Sequence, residues 1–579
     1  MLKKVTNFIV LIMLSVSGFA QPVNPPYPYK PLNPQKKQIR QNKTKTSEKK
    51  NTPSTSNSTV ISTRPKLVIG LVIDQMRWDY LYKYQNHYSN NGFKRLLNQG
   101  FSCENTLITH IPTYTAVGHT GIYTGSLPSI HGIVGNNWYD KNSGKSVYCT
   151  DDSTVSGVGS NNEEGKMSPK NMFTSTIADE LRLSNNFSSK SIGISLKDRG
   201  AILPAGHNAN AAYWFDDKAG KWISSTYYMN NLPEWVNQFN AKQQPDSFMS
   251  TNWETILPIN QYTKSTKDAV DYEGTIPGEK TNYFPHQLST IAEKKYSAFK
   301  YTPFGNTYTL NFAKSTIENE KLGKGDVTDF LAVSLSSTDY IGHVFGPSSI
   351  EIEDTYIRLD KDIADFLDYL DGAYGKNNYL FFLSADHGVA HNPTFLNANK
   401  MPGGNYSNKE LIKELNDSIQ LKFGVANAVV KMENAQLYLQ KELSNGWDGN
   451  SFLISKTIVD ILSTKPFVSQ AYDIKLLPMS ILPEVIKSRA MNSYFSSRSG
   501  DIQIVPKPGF FDGGKTGTTH GVWNPYDAHI PLLFMGWNIN PGKTHREVHM
   551  TDIAPTISAL LNIQMPNGCV GNVIGEIIK

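Results

Sequence analysis

Four short runs that are apolar almost throughout constrain this chain most: Leu67–Ile73, 330–335, 379–383 and 531–535. A strand apolar on both faces belongs inside a sheet covered from both sides, the usual setting of parallel sheets. Between the second and third runs, Ile352, Tyr356, Leu359, Ile363, Phe366 and Leu370 recur at spacings of four and three, which predicts one buried helix face over 351–370. Strand, helix and strand in that order predict a crossover unit. We therefore expect an α/β fold whose central, mostly parallel sheet is flanked by helices. The stretch at about 205–320 is rich in Trp, Tyr, Asn and Pro, and that at about 400–510 has helical and strand-like runs of its own, such as 500–505. Both read as insertions forming a cap or side lobe within a domain that spans 65–579.

Acidic residues close three of the runs. Asp74 follows the first, Asp339 lies just past the second in S-S-T-D-Y-I-G-H, and Asp386 lies just past the third in L-S-A-D-H-G. Open α/β sheets place their sites beyond the carboxyl ends of parallel strands. His343 stands four residues after Asp339, one helical turn away, His387 adjoins Asp386, and His520 lies in G-T-T-H-G. Each short motif arises easily by chance; their coincidence in one chain, three of them just past the strands, does not. Carboxylate and neutral imidazole in equal number are the ligand mixture of a two-zinc hydrolase, whereas calcium takes oxygen ligands. The constellation predicts a metalloenzyme.

The first 20 residues have secretory form: Lys3 and Lys4, an apolar stretch from Phe8 to Leu14, then Gly18-Phe19-Ala20 at the cleavage position. That stretch is far short of the roughly 20 residues a bilayer span needs, so an exported protein without a transmembrane segment is expected, in the periplasm or secreted. Residues 21–64 are Pro, Lys, Asn, Ser and Thr with few aliphatics, and read as a disordered basic linker. Residues 1–66 hold twelve Lys or Arg against Glu48 alone, so of the chain's net +5 they supply +11 and leave −6 for the remainder. The basic charge belongs to the tail, and nucleic acid is not an expected partner. Cys103, Cys149 and Cys569 allow one disulfide in an oxidising compartment without choosing the pair, and none lies in a C-x-x-C arrangement.

Pro112 opens a segment, P-T-Y-T-A-V-G-H-T-G-I-Y-T-G, that continues as a plausible helix with Thr115 near its N-terminus, where unpaired N–H groups favour an anion. A threonine there can serve as a helix cap or, activated by a metal, as a nucleophile. Thr115 with His119, Thr124-Gly125, P-S-I-His131-G-I and Asn136 resembles the nucleophile region of the alkaline phosphatase superfamily in its phosphodiesterase-like branch. The S-L-Lys197-D-Arg199 stretch, L-P-A-G-His207 and S-T-Asp339-Y-I-G-His343 are similar to the phosphate-irrepressible bacterial alkaline phosphatases, the PafA type, from about Pro65 to the C-terminus. The resemblance implies two Zn2+ per chain, one held by Asp339, His343 and His520, the other by Asp74, Thr115, Asp386 and His387. It further implies that Asn136, Lys197 and Arg199 contact the phosphoryl oxygens of small phosphate monoesters. On an extended segment, Lys197 and Arg199, two apart, would point the same way. His119, His131 and His207 are expected to pack and hydrogen-bond around the site, and a monomer is expected.

Three other readings compete. A phosphodiesterase of the same superfamily would share every metal ligand but lack the Lys-x-Arg pair, whose charge suits a monoester dianion. A sulfatase would carry a modified Cys or Ser in a C/S-x-P-x-R setting, which Thr115-Ala-Val-Gly does not offer. A catalytically silent zinc-binding surface protein would keep the ligands without turnover. Gly509 to Thr516 fits G-x-x-x-x-G-K-T to the letter, yet it leads into Gly517, Gly521 and Pro525 rather than a helix, so a nucleotide-binding loop is not expected.

Overall fold

The apolar runs at 67–73, 330–335 and 379–383 lie side by side at the centre of one sheet. In the computed structural model, which describes residues 64–578 other than 447, Leu67–Ile73 pairs in parallel with Asp329–Leu335 on one side and Tyr379–Ser384 on the other. Ser191–Ser195 and Ala211–Asp216 extend the parallel set beyond Asp329–Leu335. Every residue of these five strands is buried, which is why their sequences do not alternate. The fourth run departs from expectation: Leu532–Gly536 pairs with Tyr379–Ser384 antiparallel. A run apolar on both faces reports burial and says nothing of strand direction. The expected signal peptide and linker fall outside the described residues.

The predicted helix face extends over Ile350–Tyr374, capped where the Ser349 side chain accepts the Ile352 N–H. Its six spaced apolar residues are all buried in the main core, each contributing roughly 1.5–3 kcal/mol relative to exposure. Of the 205–320 stretch, Ala211–Asp216 and Lys221–Ser225 belong to the main sheet, and Trp253, Ile276 and Leu288 join its core. The 400–510 stretch has a four-stranded antiparallel sheet with a second core around Leu415, Leu437, Ile454 and Ile502. The G-x-x-x-x-G-K-T segment contains a three-residue strand, Phe510–Asp512, and the next helix begins only at Pro525, so no helix N-terminus follows it. No disulfide forms: Cys103, Cys149 and Cys569 are free thiols, the first two pushed up to about 12 by burial.

One buried ion cluster ties the 205–320 stretch to the long helix. His286 Nδ1 lies 2.9 Å from Glu279 and its Nε2 lies 3.3 Å from Glu351 at the start of that helix. Burial disfavours the imidazolium, but the two carboxylates outweigh it and raise His286 to about 9. Because the charged form is favoured in the fold, this stabilisation is complete below the unfolded pKa of about 6.5 and is lost as pH rises through about 9. Unfolding free energy is expected to fall by on the order of 3 kcal/mol across that window. Denaturant titrations at several pH values should show the slope flattened in His286→Gln.

Candidate active site

The carboxyl ends of the three central strands bring the acidic residues together. Ser334 Oγ donates to Asp74 Oδ1 at 2.7 Å, and Thr338 Oγ1 donates to the Asp74 carbonyl at 2.6 Å. Asp339 and His343 share one turn of the Ser337–Phe345 helix, with Asp339 Oδ1 3.4 Å from His343 Nε2 and 3.5 Å from His520 Nε2. Asp386 Oδ2 is 3.3 Å from His387 Nε2, and the His387 and His520 rings stack with centroids 3.5 Å apart. Two compact groups result, Asp339 with His387 and His520, and Asp74 with His119 and Asp386, the ligand atoms of each lying within 4.8 Å of one another. His387 lies between the groups, and His119 reaches both Asp74 and Asp386 at 3.5 Å.

The donor chemistry fits divalent cations. The Nδ1 atoms of His343, His387 and His520 each face a backbone carbonyl, of Thr518, Gly388 and Thr113, at 2.9, 2.9 and 2.6 Å. Protonated there, each ring turns the lone pair of Nε2 toward the site. Burial keeps His387 neutral, lowering it to about 4, and holds His520 well below its ordinary value. Burial, then the nearby Asp74 charge, pushes Asp386 well up, which is the repulsion a dication relieves. Asp386 Oδ2 and His387 Nε2 are buried without a hydrogen-bond partner, and an orphaned buried acceptor is costly unless a ligand completes it.

Thr115 is the first residue of the Thr115–Thr124 helix, after an extended Tyr114. It does not cap: Asn136 Oδ1 takes the Ala116 N–H at 3.0 Å, and among the described residues no hydrogen bond engages the Thr115 hydroxyl. That bond also turns the Asn136 NH2 away from the helix, leaving two donors for an anion. The helix presses against the Asp386 loop through Gly118, where an added Cβ would lie 2.2 Å from the Asp386 carbonyl oxygen. Gly118→Ala is therefore expected to displace Thr115 relative to the acidic groups and lower kcat about 100-fold, the cost of a misplacement near 1 Å. Steady-state kinetics beside a melting curve check this.

Lys197 and Arg199 do not share an extended segment. Lys197 is extended, at φ −91° and ψ 128°, and begins the Asp198–Ala205 helix, so Arg199 lies in its first turn. Lys197 Nζ is 2.6 Å from Asp339 Oδ2 and 3.1 Å from Asp74 Oδ2. Burial opposes its charge, but those carboxylates outweigh burial and keep it an ammonium. Arg199 Nη1 donates to the Tyr148 hydroxyl at 2.9 Å, while its Nε is buried and unpartnered. His131 is buried, its Nδ1 accepting the Ile133 N–H, and His207 is half-buried, its backbone N–H donating to Asp179 Oδ2 at 3.2 Å.

Two supporting residues escaped the sequence reading. Gln75 takes a left-handed φ of 64°, so that its backbone N–H donates to Asp386 Oδ1 at 3.0 Å and its Nε2 to Asp339 Oδ1 at 2.8 Å. Asp527 accepts the Gly521 and Val522 N–H groups at 2.9 Å each and holds the loop that carries His520. Neither belongs to a periodic pattern or a short motif. Only Gln75's place directly after Asp74 could have drawn attention.

The sequence profile of the type I phosphodiesterase / nucleotide pyrophosphatase family matches residues 68–527. A Myroides odoratus protein named calcium-transporting ATPase is 53% identical over 521 residues, 89% of this chain and 95% of its own length. Alkaline phosphatase PhoV of Synechococcus elongatus is 52% identical over 518 residues, 89% of this chain and 93% of its own. The crystal structure of wild-type alkaline phosphatase PafA matches with a TM-score of 0.86 at 51% identity, covering 89% of this chain and 99% of that one. Among the described residues of this chain no helix is long and apolar enough to cross a membrane.

Proposed function

The chain belongs to the alkaline phosphatase superfamily as a PafA-type alkaline phosphatase, and from that premise we propose how its own residues hydrolyse phosphate monoesters. Thr115 is the nucleophile. Its oxygen attacks phosphorus as the ester P–O bond breaks, the alcohol departs with a proton, and water then cleaves the phosphothreonine from the opposite side. Asp339, His343 and His520 would hold one zinc ion, and Asp74, Thr115, Asp386 and His387 the other. Bound there, such a pair lowers the pKa of hydroxyl and water and takes up charge on the leaving oxygen. Asn136, Lys197 and Arg199 hold the non-bridging oxygens, Lys197 exchanging its carboxylate partners for the phosphoryl group. Phe8 to Leu14 and their flanks support export, to the periplasm.

The observation that carries this reading is the hydroxyl of Thr115, uncapped at the start of a buried helix whose His119 contacts both Asp74 and Asp386. A diesterase would use the same ligands, so the cationic pair decides between them. Wild type is expected to prefer an aryl phosphate monoester to the matching diester, and Lys197→Ala/Arg199→Ala should shrink that preference roughly 100-fold or more, as donors aimed at transition-state charge do. A diester preference in wild type would leave the fold intact and overturn the substrate class.

A further inference from the structure

A cavity of about 320 Å3 opens beside His520 and Tyr114, the residue before Thr115. One side is built from the nucleophile segment and the His520 loop, the other from the 400–510 lobe. Tyr114, Tyr406, Phe510 and Phe511 line the cavity together with Glu433 and Asp512, and no Lys or Arg does. Asp512 accepts the Asn408 N–H at 3.2 Å, and among the described residues it enters no ion pair. Glu433 lies 3.6 Å from Lys431, which stands outside the cavity lining.

Aromatic rings beside carboxylates, of which Asp512 has no ion-pair partner among the described residues, attract a cation, most strongly one that is weakly hydrated, such as a quaternary ammonium. We propose that this cavity receives the leaving group and favours phosphate monoesters of ammonium-bearing alcohols, with choline phosphate the representative substrate. The assignment rests on the monoesterase reading above. It divides a zwitterionic substrate between two regions of opposite character: the phosphoryl end meets Lys197 and Arg199, and the ammonium end meets Glu433, Asp512 and the rings. A leaving group bearing its own negative charge meets two carboxylates there and no Lys or Arg.

The test compares choline phosphate with 3,3-dimethylbutyl phosphate, its uncharged carbon isostere, by kcat/KM. Shape and leaving-group size are matched, so the ratio of the two isolates the cation. Wild type is expected to favour choline phosphate about tenfold. In Glu433→Gln/Asp512→Asn the ratio should fall toward one, and because it is taken within each protein, any general loss of activity or folding cancels. A wild-type ratio of one or less, or a ratio unchanged in the double variant, overturns the assignment of the cavity. Absence of turnover with both esters overturns the monoesterase reading and the inference with it.

Discussion

Thr115→Ala is expected to lower kcat for an aryl phosphate monoester by a factor on the order of 10^4 or more, the scale on which removing a nucleophile abolishes covalent catalysis. The fold should survive. The hydroxyl contributes no hydrogen bond to the Thr115–Thr124 helix, Asn136 already satisfies the Ala116 N–H, and alanine suits a helix better than threonine does. Thr115→Ser should retain turnover, since it keeps the attacking oxygen. A melting curve measured beside the kinetics separates loss of chemistry from loss of structure. An active Thr115→Ala would mean that water attacks phosphorus directly.

Removal of metal by a strong chelator is expected to abolish turnover and to lower the melting temperature by several degrees, with zinc restoring both. The site gathers Asp74, Asp339 and Asp386 in burial, with the Lys197 ammonium against two of them. Cations that bind the fold and not the unfolded chain stabilise it by mass action, about 4 kcal/mol at a thousandfold excess over Kd. Stripping them leaves buried carboxylates and unpartnered imidazole nitrogens uncompensated. Metal analysis of the purified protein should return two zinc ions per chain. Full activity after complete chelation would exclude the metal-assisted reading and leave the silent-ligand alternative equally untenable.

The central sheet was legible because burial writes itself into composition. Leu67–Ile73 is the strand its sequence implies, and the spacing from Ile352 to Leu370 reports a helix face that is buried in full. What composition does not encode is direction, and so Leu532–Gly536 reads like its neighbours although it runs the other way. At the site, Asp74, Asp339 and Asp386 were visible because each follows a strand, with His343 and His387 close behind two of them, and the structure brings Asp74, Asp339, His343, Asp386, His387 and His520 together. The arrangement of Lys197 and Arg199 was not visible, since the helix begins at Asp198, between the two residues, and no periodic apolar pattern marks that boundary. Gln75 was hidden for a related reason: the two carboxylates it serves are distant in sequence. Thr115 sat between two readings, cap and nucleophile, because the residue that caps in its place, Asn136, is 21 positions away in the chain.

The stereochemical course at phosphorus tests the account most directly. A phosphate monoester made chiral with oxygen isotopes would be turned over in the presence of an acceptor alcohol, and the configuration of the transferred phosphoryl group determined. Two in-line displacements through phosphothreonine at Thr115 predict net retention. Net inversion would show a single direct displacement and contradict the covalent intermediate on which the account rests.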